Sequence, residues 1–212
     1  MNTTLVLGGT GKTGRRVAWR LQDRGMAVRI GSRSGEPPFD RENPAPRVQE
    51  TEAFYPDLAT PGAADAGGAF ADMAVASGAR RLVLLSGRGG QESQAAEERV
   101  RASGADLTVV RSSWFAQNFS EDHLLDMVRG GEVALPAGDV PEPVEDIADV
   151  AVAARQELPG DVVEFLAYLF TTVLDGRNAH PTDGVQRAIG RPPTDFADHA
   201  RRTAATGVWN GA

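Results

Sequence analysis

Four glycines near the start of the chain, Gly8, Gly9, Gly11 and Gly14, have the clearest chemical signature. Two spacings coexist among them, Gly-x-Gly-x-x-Gly and Gly-x-x-Gly-x-x-Gly, and either one lets a backbone without Cβ atoms approach a pyrophosphate. An uncharged run at 5–7 precedes them and an amphipathic segment follows. The pattern therefore predicts a strand, a turn and a helix whose N-terminus holds the phosphates. A strand-to-helix turn with a purely structural role is the alternative.

The residues after the second predicted strand, at 27–30, indicate which dinucleotide would bind. A site that prefers NAD(H) places Asp or Glu near here to bind the ribose 2′-hydroxyl group. This chain has Ser32 and Arg33 instead, a hydroxyl and a guanidinium that suit a 2′-phosphate. We therefore expect NADP(H) as the cofactor, with NAD(H) less favoured.

Ser86 ends a clear apolar strand predicted at 81–86, and an aromatic and amide-rich loop at 112–120 follows the strand predicted at 106–111. Because loops at the carboxyl ends of parallel strands face the ligand, both should border one crevice with the glycine turn. The Ser86 hydroxyl is the catalytic candidate, as a hydrogen-bond donor to the substrate or the nicotinamide. A simple cap of the strand end is the equal alternative.

The chain lacks the Tyr-x-x-x-Lys pair of conventional short-chain dehydrogenases, because neither Tyr55 nor Tyr168 has a lysine four residues later. Lys12 is the only lysine in the sequence, and there is no cysteine. Proton delivery must then come from solvent or from a weak donor. Acceptors whose reduced form is a stabilised anion or a neutral amine are favoured on this ground.

Charge and residue usage exclude several other classes of function. The three histidines, His123, His180 and His199, lie far apart and are expected at surface positions, so we predict no metal site. The formal net charge of −7 argues against a nucleic-acid partner. No apolar run approaches roughly 18 residues, and no signal-peptide pattern is present. We expect a cytoplasmic protein that acts on a small molecule away from membranes, with its oligomeric state open.

Alternating strands and helices predict an α/β protein with a Rossmann-type, doubly wound parallel sheet and a small, mostly helical C-terminal lobe. We place the dinucleotide-binding domain at 1–154 and the helical lobe at 155–212. The stretch from Ser34 to Pro56 is rich in proline, and only residues 53–55 in it have the character of a strand. Glu97, Glu98, Arg99 and Arg101, on a predicted helix at 91–103, are expected to form a solvated face. The other predicted elements are helices at 12–24, 61–77, 120–129, 145–157, 162–174, 182–189 and 194–205, and a short strand at 132–135.

Six segments together resemble the NmrA-like atypical short-chain dehydrogenases: LVLGGTGKTGRRV, VRIGSRS, YPDLATPGAAD, RLVLLSGRG, SGADLTVVRSSWFAQNFSE and DIADVAVAA. The branch they match best contains ergot-alkaloid-type reductases and bacterial NAD(P)H-dependent quinone or azo reductases. The resemblance implies a Rossmann fold and two groups of site residues. Those at the phosphates are Gly8, Thr10, Gly11, Lys12, Thr13 and Gly14, with Arg33 at the adenosine 2′-phosphate. Those that border the nicotinamide and the substrate are Tyr55, Pro56, Ser86, Gly87, Trp114, Phe115 and Asn118.

Two regions are shorter than the family pattern. Members usually carry a further strand and helix after the Arg33 region, and the stretch 34–54 is too short for both. They also carry a strand and helix of the substrate lobe where this chain has only 155–161. Either the chain is a reduced relative, or segments are missing from the sequence as given and its numbering runs on across the gaps.

Three hypotheses of function follow from these patterns. The leading one is an NADP(H)-dependent reductase that transfers a hydride to a small conjugated acceptor such as a quinone, an imine or an enone. The second is a redox-sensing regulator that binds NAD(P) without turnover. The third is a truncated, inactive remnant.

Overall fold

Five parallel strands form the central sheet in the order β2-β1-β3-β4-β5. The computed structural model describes residues 3–33, 35, 39, 51–55, 62–122, 124–135, 141–149 and 178–210. The strands are β1 (Thr3–Leu7), β2 (Ala27–Gly31), β3 (Thr51–Tyr55), β4 (Arg81–Gly87) and β5 (Asp106–Ser112). Each predicted strand of this sheet is present, and β3 extends the strand-like residues 53–55 by two positions.

The strand order reverses at β1, which pairs with β2 on one side and with β3 on the other. In a doubly wound sheet, ligands bind outside the carboxyl ends of the strands at such a switch point. β3 takes the place beside β1 that the fourth strand holds in the common six-stranded order. Within the described ranges no strand pairs with the outer edge of β2, in agreement with the shortness of 34–54.

Helices cover both faces of this sheet because alternate strand residues point to opposite sides. On one face, α1 (Gly14–Gln22) packs Val17 and Leu21 against Val6. The other face is covered by α2 (Ala63–Ala76) and α3 (Gln91–Arg101). These helices pack against alternate residues of two strands, Leu5 and Leu7 in β1 and Leu82 and Leu84 in β4. The fold is therefore the predicted Rossmann-type α/β sheet with helices on both faces.

The segment after β5 is more regular than the predicted loop. It contains a two-residue strand, β6 (Trp114–Phe115), which pairs in parallel with β7 (Val144–Glu145). Four further helices have both ends within the described residues: α4 (Asn118–Glu121), α5 (Leu125–Arg129), α6 (Gly184–Ile189) and α7 (Phe196–Ala205). No described helix has both the length and the apolar character that crossing a bilayer requires.

Two predictions for this region are wrong, and a third, the helix expected at 145–157, begins two residues later, with 150–157 outside the described residues. The helix expected at 120–129 is interrupted at Asp122, whose backbone is extended, with φ −145° and ψ −164°. The expected helix at 145–157 is preceded by β7, so that helical backbone starts only at 147. No strand forms at 132–135. Pairing across two residues depends on tertiary contacts, which the periodicity of the sequence does not encode. The helix predicted at 162–174 lies outside the described residues.

Candidate active site

The glycine turn joins β1 to α1 in a close-packed arrangement. Gly8 has φ of +60°, and its carbonyl oxygen accepts a hydrogen bond from the Gly11 N–H at 2.9 Å. A Cβ atom added at Gly14 would lie 2.4 Å from the same carbonyl oxygen, so only glycine fits there. The turn thus lies at the N-terminus of α1, where unpaired N–H groups and the helix dipole favour an anion. The cradle fits a dinucleotide pyrophosphate.

The end of β2 adjoins this turn through a pair of hydroxyl groups. Thr10 Oγ1 and Ser32 Oγ are 2.8 Å apart, and Ser32 is only 8% exposed. The Ser32 carbonyl oxygen accepts hydrogen bonds from the N–H groups of Gly35 and Phe39, which close a turn after the strand. Arg33 is exposed beside it. The predicted phosphate and 2′-phosphate residues therefore belong to one continuous edge.

Lys12 links the glycine turn to α4. Its Nζ atom donates to Asn118 Oδ1 at 3.0 Å and forms an ion pair with Asp122. Arg15 and Arg16, on the first turn of α1, both pair with Glu121. A residue predicted at the phosphates, Lys12, is thus in contact with one predicted at the substrate, Asn118.

The Glu121 carboxylate stays ionised in this setting. Burial acts to raise the pKa of Glu121, but the hydrogen bonds and charges of Arg16 and Arg15 outweigh it and leave the pKa lowered. The ion pairs therefore hold α4 against the start of α1 at neutral pH.

The prediction that Glu97 lies on a solvated face of α3 is wrong, because its side chain is only 1% exposed. Ser86 Oγ donates to Glu97 Oε1 at 2.7 Å, and Arg111 donates from Nε at 2.8 Å and from its terminal nitrogen at 2.5 Å. Burial alone would raise the pKa of Glu97, but these hydrogen bonds and the charge of Arg111 lower it. The carboxylate is therefore ionised and connects β4 to β5, where Ser86 and Arg111 are paired.

This contact changes the interpretation of Ser86. The hydroxyl is 4% exposed and gives its single proton to Glu97, so it accepts rather than donates any further hydrogen bond. Sequence reasoning placed Ser86 at the carboxyl end of β4 but missed its partner. Its assignment as a catalytic residue stays a prediction.

Glu145 is a second carboxyl group that sequence reasoning missed. It ends β7, opposite Phe115 of β6, and lies near Ser112 and Arg88 at the carboxyl ends of β5 and β4. Burial raises the pKa of Glu145 above its ordinary value, and the charge of Arg88 acts against the shift. A carboxyl group with this property can hold a proton near the crevice.

The remaining predicted residues occupy varied positions. Phe115 is buried with Leu85 and Ile147 in an apolar cluster, so it supports the site from the core rather than lining an open surface. Trp114 is partly exposed, and Gly87 ends β4. Tyr55 ends β3, whereas Pro56 lies outside the described residues.

His199 is buried, contrary to its predicted surface position. It is 5% exposed, with Nδ1 3.5 Å from an Asp146 carboxylate oxygen and Nε2 3.2 Å from Thr203 Oγ1. Gln117 also donates to Asp146 at 2.6 Å and accepts from the Ile147 N–H at 2.8 Å. Gln117, Asp146, His199 and Thr203 border a cavity of about 500 Å³ between α4 and α7. In the described part of the chain, no group of three or more His, Asp and Glu side chains could hold a metal ion.

No family model matches the chain. A curated relative, the uncharacterized oxidoreductase YesF of Bacillus subtilis, is 26% identical over 283 residues, with 98% of each chain covered. Because this span exceeds the 212 residues of the chain, the relative has inserted segments within it.

Solved structures share the fold over nearly the whole chain. A nucleoside-diphosphate-sugar epimerase from Staphylococcus aureus has a TM-score of 0.69 at 13% identity, and covers 94% of this chain and 99% of its own. The Citrobacter sp. triphenylmethane reductase complexed with NADP(H) has 0.67 at 14%, with 95% and 99% covered. The NADPH-dependent quinone oxidoreductase of Escherichia coli complexed with NADPH has 0.67 at 16%, with 94% and 99% covered. The Rossmann-type fold is thus shown, whereas the NmrA-like subfamily stays a prediction.

Proposed function

We propose that the protein is an NADP(H)-dependent oxidoreductase of the atypical short-chain dehydrogenase type, which reduces a small conjugated acceptor. The observation that carries the proposal is the glycine turn, in which no side chain fits at Gly14 and the Thr10 and Ser32 hydroxyls connect the turn to β2. The glycine turn and the end of β2 lie side by side, so that the first can bind the pyrophosphate and the second the adenosine ribose.

The bound cofactor would supply a hydride, so that a quinone, NADPH and one proton yield a hydroquinone and NADP⁺. In this scheme the glycine backbone and the start of α1 bind the pyrophosphate. Ser32 and Arg33 bind the 2′-phosphate. Phe115 and the other buried side chains of its cluster support the loop that borders the acceptor.

The acceptor class follows from the proton donors at the site. The Ser86 proton is held by Glu97, and the chain has no Tyr-Lys pair, so a strong acid beside the acceptor is not evident. Quinones, enones and iminium ions need less proton transfer during hydride addition than simple ketones do. The solved relatives with quinone and triphenylmethane reductase activity in their names favour the same class.

The test measures the dissociation constants of NADPH and NADH by fluorescence, followed by NADPH oxidation with quinones, cyclic imines and unactivated ketones. We expect NADPH to bind more tightly than NADH, with turnover of quinones or imines. Efficient reduction of an unactivated ketone, or the absence of dinucleotide binding, would contradict the proposal.

Arg33→Ala should weaken NADPH binding by roughly one to two orders of magnitude and spare NADH, because a charge-assisted hydrogen bond to phosphate is lost. Arg24→Ala, an exposed position two residues after the end of α1, is the matched control and should leave both affinities unchanged. Equal losses for the two dinucleotides in Arg33→Ala would show that this residue does not bind the 2′-phosphate.

A redox-sensing regulator that binds the dinucleotide without turnover is the second candidate. The contact that favours it is the Ser86 hydrogen bond to Glu97, which removes a predicted donor from the crevice. Tight NADPH binding with no oxidation by any acceptor class would support this candidate over the first.

A further inference from the structure

The contact between Lys12 and Asn118 fixes the orientation of the Asn118 side-chain amide. A lysine ammonium group has three N–H donors and no acceptor, so the amide atom that faces it must be the oxygen. The observed 3.0 Å distance joins Lys12 Nζ to Asn118 Oδ1. The amide NH₂ group of Asn118 therefore points away from Lys12.

Asn118 is held firmly enough for this orientation to persist. It is 8% exposed, it opens α4, and its carbonyl oxygen accepts a hydrogen bond from the Leu124 N–H at 3.2 Å. Asp122, one residue after α4, also forms an ion pair with Lys12. The glycine turn, Lys12 and both ends of α4 thus form one connected unit.

The amide nitrogen of Asn118 donates to no acceptor among the residues that the structure describes. This nitrogen is not among the fully enclosed side-chain atoms that lack a partner, so it is open to solvent and can donate to a ligand. Two other polar side chains on segments that follow the strands are already engaged, since Ser86 donates to Glu97 and Gln117 donates to Asp146. Asn118 is therefore the amide at this edge that remains available to donate.

We propose that Asn118 donates a hydrogen bond to the acceptor oxygen on which negative charge develops, and that Lys12 and Asp122 are positioning residues for it. This inference rests on the proposed function. It adds a role for the lone lysine besides contact with the phosphates. The charge of Lys12 also polarises the amide in the direction that strengthens its N–H as a donor.

The chemistry separates two kinds of acceptor. When a quinone accepts a hydride, two electrons and one proton leave the dihydronicotinamide, and one quinone oxygen becomes an anion that later takes a proton from solvent. When a cationic triphenylmethane dye accepts a hydride, a new C–H bond forms at the central carbon and the product is neutral. A donor aimed at an oxygen anion helps only the first reaction.

The first experiment compares both reactions in wild type and Asn118→Leu at saturating NADPH, with 1,4-naphthoquinone and crystal violet as acceptors. Leucine has nearly the same size but no N–H donor. We expect quinone kcat to fall about tenfold to hundredfold, dye reduction to change less than threefold, and the NADPH dissociation constant to change less than threefold. Asp126→Asn, on the exposed side of α5, is the control and should change none of these.

Lys12 variants then test the positioning role. Lys12→Met should lower quinone kcat even when NADPH is saturating, and Lys12→Arg should restore most of it, because arginine also presents only donors to Asn118. Equal losses for quinone and dye in Asn118→Leu, or unchanged quinone reduction, would overturn the donor role.

A second experiment needs no turnover. Because Lys12 is the only lysine, acetic anhydride acetylates a single side chain of the protein besides the N-terminal amine. Mass spectrometry of the peptide that contains Lys12 gives its acetylation rate, and an added lysine-containing peptide serves as the reference. Asn118→Leu and Asp122→Asn should each raise the Lys12 acetylation rate at least threefold, whereas Asp126→Asn should not. Equal rates in all variants would refute the contact. If wild type oxidised NADPH with neither acceptor, the proposed function and the donor role would both fail, even with the contact confirmed by labelling.

Discussion

At the scale of single residues, two carboxyl groups with opposite electrostatic settings lie near the carboxyl ends of β4 and β5. Glu97 is ionised by its contacts with Arg111 and Ser86, whereas burial favours the protonated form of Glu145. The sequence identified Ser86 and the loop after β5 by their positions after strands. It could not identify Glu97, because neighbouring Glu98 has the same side chain and only packing shows which of the two is buried.

Glu97→Gln should lower the free energy of unfolding by about 1 to 3 kcal/mol at pH 7, because Arg111 and Ser86 lose a charged partner. The pKa of Glu97 is lowered in the folded state, so this stability is present above its ordinary value of 4.5 and is lost as pH falls through the folded-state pKa. Urea unfolding at neutral and acid pH is the measurement. The exposed neighbour supplies the control, and Glu98→Gln should change little at either pH.

Glu145→Gln should have the opposite effect and stabilise the protein at neutral pH. The pKa of this carboxyl is raised in the folded state, so its ionisation costs stability as pH rises above its ordinary value of 4.5. The gain should be about 1.4 kcal/mol for each unit of that shift, and it should vanish in acid. Thermal unfolding at several pH values checks it, with exposed Glu132→Gln as the comparison. Destabilisation at pH 8 would contradict the assignment.

At the scale of elements, strands and helices with clear periodicity were predicted correctly, as was the short helix α6, whereas the two-residue strands β6 and β7 were not. β1, β4 and β5 combine apolar runs with turn residues on both sides, which makes their position plain in the sequence. β6 and β7 have two residues each, and they form because Gln117 binds both Asp146 and the Ile147 backbone. Such a contact spans about thirty positions in the chain and leaves no local pattern.

The docking of the C-terminal helices provides a prediction at this scale. Asp149 is buried and accepts hydrogen bonds from Arg191 at 2.5 Å and from the Thr194 N–H at 2.6 Å, just before α7. Asp149→Ala should therefore lower stability by about 1 to 3 kcal/mol and raise hydrogen exchange in α7. Asp183→Ala, which removes only an exposed ion pair with Arg187, should leave exchange in α7 unchanged. Equal exchange in both variants would show that Asp149 does not anchor this region.

At the scale of the whole molecule, the predicted fold class is confirmed, because buried strands and glycine spacing have direct local signatures, and the glycine turn has the predicted place between β1 and α1. Its role in cofactor binding stays a prediction. The sequence was less informative about the substrate side. There, Asn118 and Glu145 acquire their properties from Lys12 and from burial, which only the assembled structure displays. The division into domains at 154 stays a prediction, because much of the chain around that point lies outside the described ranges.

Dinucleotide binding should stabilise the whole protein by mass action. At a concentration 100 times its dissociation constant, NADPH should add about 2.7 kcal/mol, which for a chain of this size is a rise in Tm of about 5 to 10 °C. NADH at the same concentration should raise Tm less, and Arg33→Ala should remove the difference. Differential scanning fluorimetry measures this, and identical shifts for both dinucleotides in wild type would contradict the expected selectivity.

The contacts of the C-terminal segment also determine the order in which the protein can be completed during synthesis. Trp209 Nε1 donates to the Phe119 carbonyl oxygen at 2.7 Å, and Arg129 Nε donates to the Val208 carbonyl oxygen at 3.1 Å. Helices α4 and α5 therefore wait for residues translated some 80 to 90 positions later. While those residues are still inside the ribosome, the glycine turn and β1 to β5 have already emerged. A nascent chain can thus form the glycine turn and the sheet before α4 and α5 are held in place.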